Sequence, residues 1–122
     1  MSLLRIYHNP RCKKSRAGLA LLTENAPAFE IVDYFKQPFT HETLAALIQK
    51  SGSTARDFIR TQEDDFKLHY KGKDLNEKDW IDAIVSNPKF LKRPVVETDD
   101  AAVWADPPEK LLTLLHKKQL ES

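Results

Sequence analysis

Residues 3–16 have the sequence LLRIYHNPRCKKSR, which predicts a strand, a turn and the start of a helix in direct succession. The apolar run Leu3–Tyr7 is typical of a mostly buried strand, and Pro10 removes an amide donor in the turn that follows. Cys12, the only cysteine of the chain, stands where the helix begins. Unpaired amides at a helix N-terminus stabilise a thiolate, so this position favours a reactive thiol.

The charge around this thiol is strongly positive. Residues 1–23 contain no Asp or Glu, and they contain Arg5, Arg11, Lys13, Lys14 and Arg16. A locally positive field attracts an anionic reactant. The net charge of the whole chain is only +1, because acidic residues follow downstream, and this balance argues against a broad nucleic-acid surface.

Composition indicates an ordinary globular protein. A chain of 122 residues with 41% hydrophobic and 30% charged residues suits a single domain over residues 1–122. One cysteine forms no internal disulfide, and neither a secretory signal nor an apolar run long enough for a membrane span is present, so we expect a cytoplasmic protein outside the membrane.

Helical and extended segments alternate along the first third of the chain. Helical spacing predicts a helix from Lys13 to about Asn25 that buries Ala17, Ala20, Leu21 and Leu22. Phe29–Tyr34 is typical of a second strand. A strand, a helix and a strand imply a parallel crossover, which places the Cys12 turn at the carboxyl end of the first strand, where open α/β sheets bind ligands.

The rest of the chain divides into a helical segment and a hairpin. Residues from about 40 to 90 predict a helical insertion, with caps at Thr40, Ser53 and Asn76. Residues 94–98 and 102–104 predict a hairpin. The run from Asp106 to Glu109 predicts the start of the last helix, with Asp106 as its cap and Leu111, Leu112, Leu114 and Leu115 on its apolar face.

Several residues near Cys12 bear on its chemistry. A free cysteine is often a buried small hydrophobe, but a place between Arg11 and Lys13 favours a functional thiol. Ser15 stands where a Cys-x-x-Cys pair has its second thiol, so disulfide chemistry requires a thiol from another molecule. Gly18 stands where a phosphatase-type loop needs arginine, which disfavours that mechanism.

Among the four histidines, one is a candidate for acting on the Cys12 thiol, and their spacing predicts no metal site. His8 either lowers the pKa of Cys12 when protonated or is a solvated turn residue. His41, His69 and His116 are scattered without metal-ligand spacing, so we expect no metal.

The pattern His8-Asn9-Pro10-x-Cys12-x-x-Ser15-Arg16 resembles the signature of the glutaredoxin-linked arsenate reductases, the ArsC family. The resemblance extends from about Leu4 to Leu115 and includes Arg60, Arg93-Pro94 and Pro108-Glu109 in family order. It implies an α/β fold, a thioredoxin/glutaredoxin-like mixed four-stranded sheet with a helical insertion. It also implies a cis peptide bond at Pro94, since X-Pro bonds adopt that form most readily.

This resemblance implies a reaction and residue roles. Cys12 is the nucleophile that attacks arsenate or a related oxyanion, glutathione attacks the arsenic adduct as co-substrate, and glutaredoxin reduces the resulting mixed disulfide. No cofactor is bound. His8, Ser15 and Arg16 match positions for thiolate stabilisation and anion binding, and Arg60 and Arg93 match two arginines of the oxyanion site.

Two positions depart from the family pattern. Asp106 stands where the family has a third arginine of the oxyanion site, and a carboxylate there repels arsenate. Lys14 stands in place of a threonine and still suits an anion. With these departures the sequence is most similar to the arsenate-reductase-like members of the family that are uncharacterised.

Two other functions stay open from the sequence. One is a monothiol glutaredoxin-like oxidoreductase that acts on glutathione mixed disulfides and binds the glutathione carboxylates with its basic loop. The other is a non-catalytic binding module similar to the Spx-like regulators. Those regulators often carry a Cys-x-x-Cys switch at this turn, and Ser15 argues against that switch here.

Overall fold

The computed structural model describes residues 3–26 and 28–121, with side chains up to residue 115. The chain forms two compact units. Residues up to Gln37 and from Arg93 onward form one unit, here called the sheet unit, and Pro38–Lys92 form the other, here called the helical unit. The helical unit occupies nearly the range of the predicted helical insertion. That residues 1–122 act as one domain stays a prediction.

The elements follow one another in the order predicted, with additions in the helical unit. In chain order they are β1 (Leu4–His8), α1 (Lys13–Asn25), β2 (Glu30–Asp33), α2 (His41–Ser51), a 3-10 helix (Arg56–Phe58), α3 (Asp64–His69), α4 (Glu77–Ser86), a 3-10 helix (Pro88–Phe90), β3 (Val95–Thr98), β4 (Ala102–Trp104) and α5 (Lys110–Glu121).

The sheet unit contains a four-stranded mixed sheet in the order β2-β1-β3-β4. Strands β1 and β2 are parallel, with His8 opposite Asp33, while β1–β3 and β3–β4 are antiparallel. This arrangement confirms the predicted α/β fold class. It also places His8 at the carboxyl end of β1, directly before the turn that leads to Cys12.

One face of the sheet carries a hydrophobic core cluster of this unit. Alternate side chains of a strand point to the same face, so Leu4 and Ile6 of β1 share it with Val96 of β3. The core consists of Leu4, Ile6, Leu22, Val96, Ala105, Leu111, Leu114 and Leu115. Helices α1 and α5 supply four of these residues, which positions both helices on the sheet.

The buried face of α1 differs from the predicted one. Ser15, Gly18 and Leu22 are buried, whereas Ala17 and Ala20 are exposed. The buried face begins with a serine and a glycine, so hydrophobicity does not mark it. Close packing explains these small residues, because a Cβ atom at Gly18 would meet the ring of Pro94.

The start of α5 also differs from the prediction. The helix begins at Lys110, and the amides of Lys110 and Leu111 donate to the carbonyls of Pro107 and Pro108 at 3.1 Å each. Backbone carbonyls thus satisfy the first amides, and the predicted cap at Asp106 is wrong. Leu111, Leu114 and Leu115 are buried as expected, but Leu112 is exposed.

Two of the predicted caps in the helical unit are confirmed. Thr40 caps α2 in a capping box, where its side chain accepts from the Thr43 amide and the Thr43 hydroxyl accepts from the Thr40 amide. Asn76 caps α4 by accepting from the amide of Asp79 at 2.8 Å. Each cap satisfies amides that a helix N-terminus otherwise leaves unpaired.

Other parts of the helical unit were not anticipated. The predicted cap at Ser53 is wrong, because the short helix is a 3-10 turn at Arg56–Phe58 whose N-cap residue is Ala55. Helix α3 was missed because six residues are too few for a clear helical period. Its Phe66 packs with Tyr70, Trp80 and Phe90, with ring centroids 5.8–6.1 Å apart.

Candidate active site

Cys12 lies at the N-cap of α1, in the first turn after the strand β1. Its amide donates to the carbonyl of Asn9 at 3.0 Å, and its own carbonyl accepts from the amide of Arg16 at 3.0 Å. The residue is partly exposed. The backbone therefore holds the thiol at the helix start while leaving it accessible to a small reactant.

The pKa of the Cys12 thiol lies below its ordinary value. Partial burial raises this pKa, but three groups together lower it by more than burial raises it. They are the backbone amides of Ser15 and Lys14 and the guanidinium of Arg93, which forms a hydrogen bond to the thiol. Hydrogen bonds and positive charge stabilise the thiolate over the thiol. The nucleophilic form of Cys12 is thus favoured.

Ser15 and Arg16 hold the turn that carries the thiol. Ser15 is fully buried, and its hydroxyl accepts from the amide of Asn9 at 3.3 Å. Arg16 donates from its guanidinium to the carbonyl of Pro10 at 3.0 Å. Both residues were predicted to stabilise the thiolate or bind an anion. The amide of Ser15 does contact the thiol, while the Arg16 side chain contacts the turn.

His8 is a buried side chain at the end of β1. It is 6% exposed, and its Nδ1 has no hydrogen-bond partner among the residues that the structure describes. Burial lowers the pKa of His8, although the Ser15 backbone and Asp33 raise it in part. The lowered pKa disfavours a protonated His8 beside Cys12, and a role of His8 in stabilising the thiolate stays a prediction. The hypothesis of a solvated turn residue is wrong, because the side chain is buried.

Arg93 is brought to Cys12 by the start of β3. The Arg93–Pro94 peptide bond is cis, the isomer that the resemblance implied. The carbonyl of Arg93 accepts from Nε1 of Trp104 at 3.3 Å, and the carbonyl of Pro94 accepts from the amide of Ala105 at 2.9 Å. Trp104 at the end of β4 and Ala105 after it therefore fix the backbone from which the Arg93 guanidinium reaches the thiol.

Arg60 belongs to the helical unit, where its side chain has a carboxylate partner. The guanidinium forms an ion pair with Glu63, and the Arg60 amide donates to the carbonyl of Phe90 at 2.7 Å. Both side chains of the pair are mostly buried. A role of Arg60 in oxyanion binding stays a prediction.

The two departures from the family pattern contact each other. Lys14 Nζ lies 2.8 Å from Oδ2 of Asp106. The same ammonium lies 5.9 Å from the ring centroid of Trp104, and Lys110 Nζ lies 5.3 Å from it. Sequence reasoning noted positions 14 and 106 separately but missed their pairing. It missed Trp104 altogether, because a tryptophan in a hairpin gives no functional signal.

The described residues contain neither a metal-binding cluster nor a membrane-spanning helix. No group of three or more His, Cys, Asp or Glu side chains there is arranged to hold a metal ion. The side chain of His116 lies outside the described residues. No helix within the described part of the chain is long and apolar enough to cross a membrane.

The similarity to known proteins extends over the residues of this site. The model of the ArsC family matches residues 7–114, which include the thiol turn, the Arg93–Pro94 segment and Asp106. The chain belongs to the ArsC family. Its ArsC-type sheet is a thioredoxin-like fold, which confirms the resemblance inferred from the sequence.

Individual relatives of this ArsC-family chain span almost its whole length. It is 40% identical to an uncharacterized protein of Escherichia coli K12, YfgD, over 92% of this chain and 96% of that protein. It is 35% identical to an arsenate reductase of Neisseria meningitidis, over 94% of this chain and 100% of that one. A solved structure of an arsenate reductase from Vibrio cholerae superposes with a TM-score of 0.84 at 33% identity, covering 90% of this chain and 95% of that one.

Proposed function

We propose that this ArsC-family protein is an oxidoreductase that reduces arsenate, or a closely related oxyanion, to arsenite. The observation that carries the proposal is the Cys12 thiol, whose pKa is lowered by two helix-start amides and by Arg93. The relatives named arsenate reductase, such as the meningococcal protein at 35% identity, support the same reaction.

The first step is attack by the Cys12 thiolate on arsenic. A sulfur–arsenic bond forms, one arsenic–oxygen bond breaks, and the leaving hydroxide takes a proton from the solvent to become water. Arg93 and the amides of Ser15 and Lys14 also bind the oxyanion, because donors that stabilise a thiolate stabilise the oxygens of an anion beside it. Burial lowers the pKa of His8, which disfavours a positive charge on this side chain beside either species.

The electrons come from thiols, and the chain supplies only one. Reduction of arsenate to arsenite takes up two electrons, which two thiols provide by forming a disulfide. Position 15 is a buried serine, so the second thiol comes from outside. We propose glutathione as this co-substrate. It attacks the arsenic adduct, and glutaredoxin reduces the resulting mixed disulfide with a further glutathione. The sum is arsenate plus two thiols giving arsenite, one disulfide and water.

The cellular setting follows from this chemistry. A catalytic thiolate and a glutathione co-substrate require a reducing compartment, so the proposed location is the cytoplasm. The proposed reaction uses no bound cofactor, since glutathione carries the reducing equivalents.

A coupled assay tests this function. Glutathione, glutaredoxin, glutathione reductase and NADPH are mixed with the protein, and NADPH oxidation is followed with and without arsenate. We expect arsenate-dependent oxidation that is lost in Cys12→Ser and when glutathione or glutaredoxin is left out. Arsenate-dependent oxidation that survives Cys12→Ser rejects the nucleophile, and no dependence on arsenate in the native protein rejects the reaction.

A second candidate function is the reduction of glutathione mixed disulfides by the same thiol. The carboxylate of Asp106, at the place of a family arginine, favours it, because a negative charge there weakens oxyanion binding. The test is turnover of a glutathionylated peptide without arsenate. Activity on that peptide, combined with no arsenate dependence in the coupled assay, establishes this alternative.

A further inference from the structure

The Lys14–Asp106 ion pair includes a residue whose backbone contacts the candidate nucleophile. Lys14 occupies the first turn of α1, and its amide is one of the groups that lower the pKa of Cys12. Its ammonium lies 2.8 Å from the Asp106 carboxylate. Lys14 therefore contacts the thiol through its backbone amide and the carboxylate of Asp106 through its side chain.

Trp104 connects this ion pair to Arg93. The Lys14 ammonium lies 5.9 Å from the centre of the indole ring, and the indole N–H donates to the Arg93 carbonyl at 3.3 Å. Arg93 in turn contacts the thiol. Trp104 thus contacts the Lys14 ammonium through its ring and the backbone of Arg93 through its indole N–H, and it contacts the Lys110 ammonium at 5.3 Å as well.

The ion pair is weak enough to exchange partners. The Lys14 side chain is 59% exposed and that of Asp106 is 25% exposed. Exposed ion pairs add little stability, because water screens the charges and holding two flexible side chains costs entropy. An ammonium on a four-carbon stem has three donors and reorients easily, so a tetrahedral oxyanion at the thiol competes for it.

We propose that Lys14 is an oxyanion-binding residue whose ammonium passes from Asp106 to the anion at Cys12, and that Asp106 sets the affinity of the site by competing for it. This inference rests on the proposed function and adds a specificity-determining pair to it. Lys14 then takes over part of the task of the missing arginine. With Asp106 the site binds the anion less tightly than it would with that arginine.

The test is a binding experiment without turnover. Cys12 is alkylated with iodoacetamide in the absence of glutathione, and the arsenate concentration that halves the alkylation rate is measured. We expect Asp106→Asn to lower that concentration about threefold, in keeping with the small worth of an exposed ion pair. In a Lys14→Gln background the same substitution changes it less than about 1.5-fold, because no ammonium remains to be released.

Two further variants separate this role from a general effect of charge. Lys13→Gln removes the same charge one residue away, and in that background Asp106→Asn retains its full effect. Lys14→Arg keeps a cation at position 14. In that background Asp106→Asn retains most of its effect on the arsenate concentration that halves the alkylation rate, an effect that Lys14→Gln abolishes. An equal effect of Asp106→Asn with and without Lys14 overturns the inference, because Asp106 then repels the anion directly. No effect in the native background overturns it as well.

A failure of the role proposed for Lys14 and Asp106 is distinguishable from a failure of the proposed arsenate reduction. If arsenate protects Cys12 with the expected dependence on Lys14 and Asp106 but the coupled assay shows no reduction, the anion site stands and the reaction fails. If arsenate is reduced and Asp106→Asn leaves both protection and the KM for arsenate unchanged, the reaction stands and the role of the pair fails. Absence of protection in every variant rejects the pair as an anion site.

Discussion

Gly18 lies so close to Pro94 that a Cβ atom added to the glycine would come within 2.5 Å of the proline Cγ. Cys12 is the N-cap of helix α1, and Pro94 follows Arg93, which contacts the thiol. The close approach of helix and proline therefore sets the spacing between the nucleophile and its guanidinium. Only a glycine permits it, because a Cβ atom occupies the space that the proline ring fills.

We expect Gly18→Ala to destabilise the protein and to raise the pKa of Cys12. Alanine in place of a helical glycine normally stabilises by about 1 kcal/mol, but overpacking here costs ~1–3 kcal/mol and pushes α1 away from Arg93. Urea unfolding and the pH dependence of Cys12 alkylation measure both effects. Ala20→Gly at an exposed position of α1 is the control, with a loss of about 1 kcal/mol and no change in alkylation. A Gly18→Ala variant more stable than the native protein contradicts the packing argument.

Loss of the Arg93 guanidinium is expected to weaken the thiolate. Arg93 lowers the pKa of Cys12 by a hydrogen bond and by its charge, so Arg93→Gln moves the midpoint of the alkylation rate to higher pH. Below that midpoint the thiol is protonated and the rate falls. Arsenate turnover at pH 7 drops at least about tenfold, since a hydrogen bond to a charged group is worth ~1.5–3 kcal/mol. Lys92→Gln removes the neighbouring charge as a control, and an equal shift in both variants argues against a specific contact.

His8 is expected to reduce stability in acid. Its pKa is lowered by burial in the native protein, while the unfolded chain binds a proton at the usual histidine pKa near 6.5. The unfolded state therefore binds more protons, and the free energy of unfolding falls as the pH drops below about 6.5. Unfolding in urea at pH 7.5 and 5.5 tests this, with a smaller difference expected in His8→Gln. An NMR titration that gives His8 a pKa above 6.5 contradicts the prediction.

Tyr7 and Glu97 form a buried hydrogen bond on the sheet that is expected to contribute to stability. The Tyr7 hydroxyl donates to the Glu97 carboxylate at 2.8 Å, and burial raises the pKa of Tyr7 to about 12. Tyr7→Phe leaves that carboxylate oxygen without this donor, so we expect a loss of ~1–3 kcal/mol in the free energy of unfolding. A double-mutant cycle with Glu97→Gln isolates the pair, and strictly additive losses reject the coupling. Absorbance titration follows the ionisation of Tyr7 itself.

Local sequence signals predicted most of the elements that position the site. The alternation and turn residues around Pro10 indicated β1 and the start of α1, and the structure places these elements at Leu4–His8 and Lys13–Asn25. Thr40 and Asn76 indicated two helix starts, because a short polar side chain before an apolar helical run satisfies unpaired amides. Such signals depend on neighbours within one turn, so the sequence contains them in full.

Other features escaped prediction because distant residues decide them. The buried face of α1 follows from the approach of Pro94 to Gly18, which lie 76 positions apart in the chain. The side chain of Asp106 matches a helix cap in its own segment, but it pairs with Lys14 instead. Helix α3 is short and is packed by rings from other segments, such as Trp80 and Phe90.

The sequence by itself determined the family, the order of the four strands and of every α-helix except α3, and Cys12 as the single candidate nucleophile. These depend on local periodicity, on capping residues and on a motif within nine consecutive residues, all of which are read along the chain. Only the tertiary structure decided that His8 is buried with a lowered pKa, that Arg93 contacts the thiol, and that Lys14 pairs with Asp106. Protonation and pairing depend on burial and on atoms a few ångströms away, and folding brings such atoms together from positions far apart in the sequence.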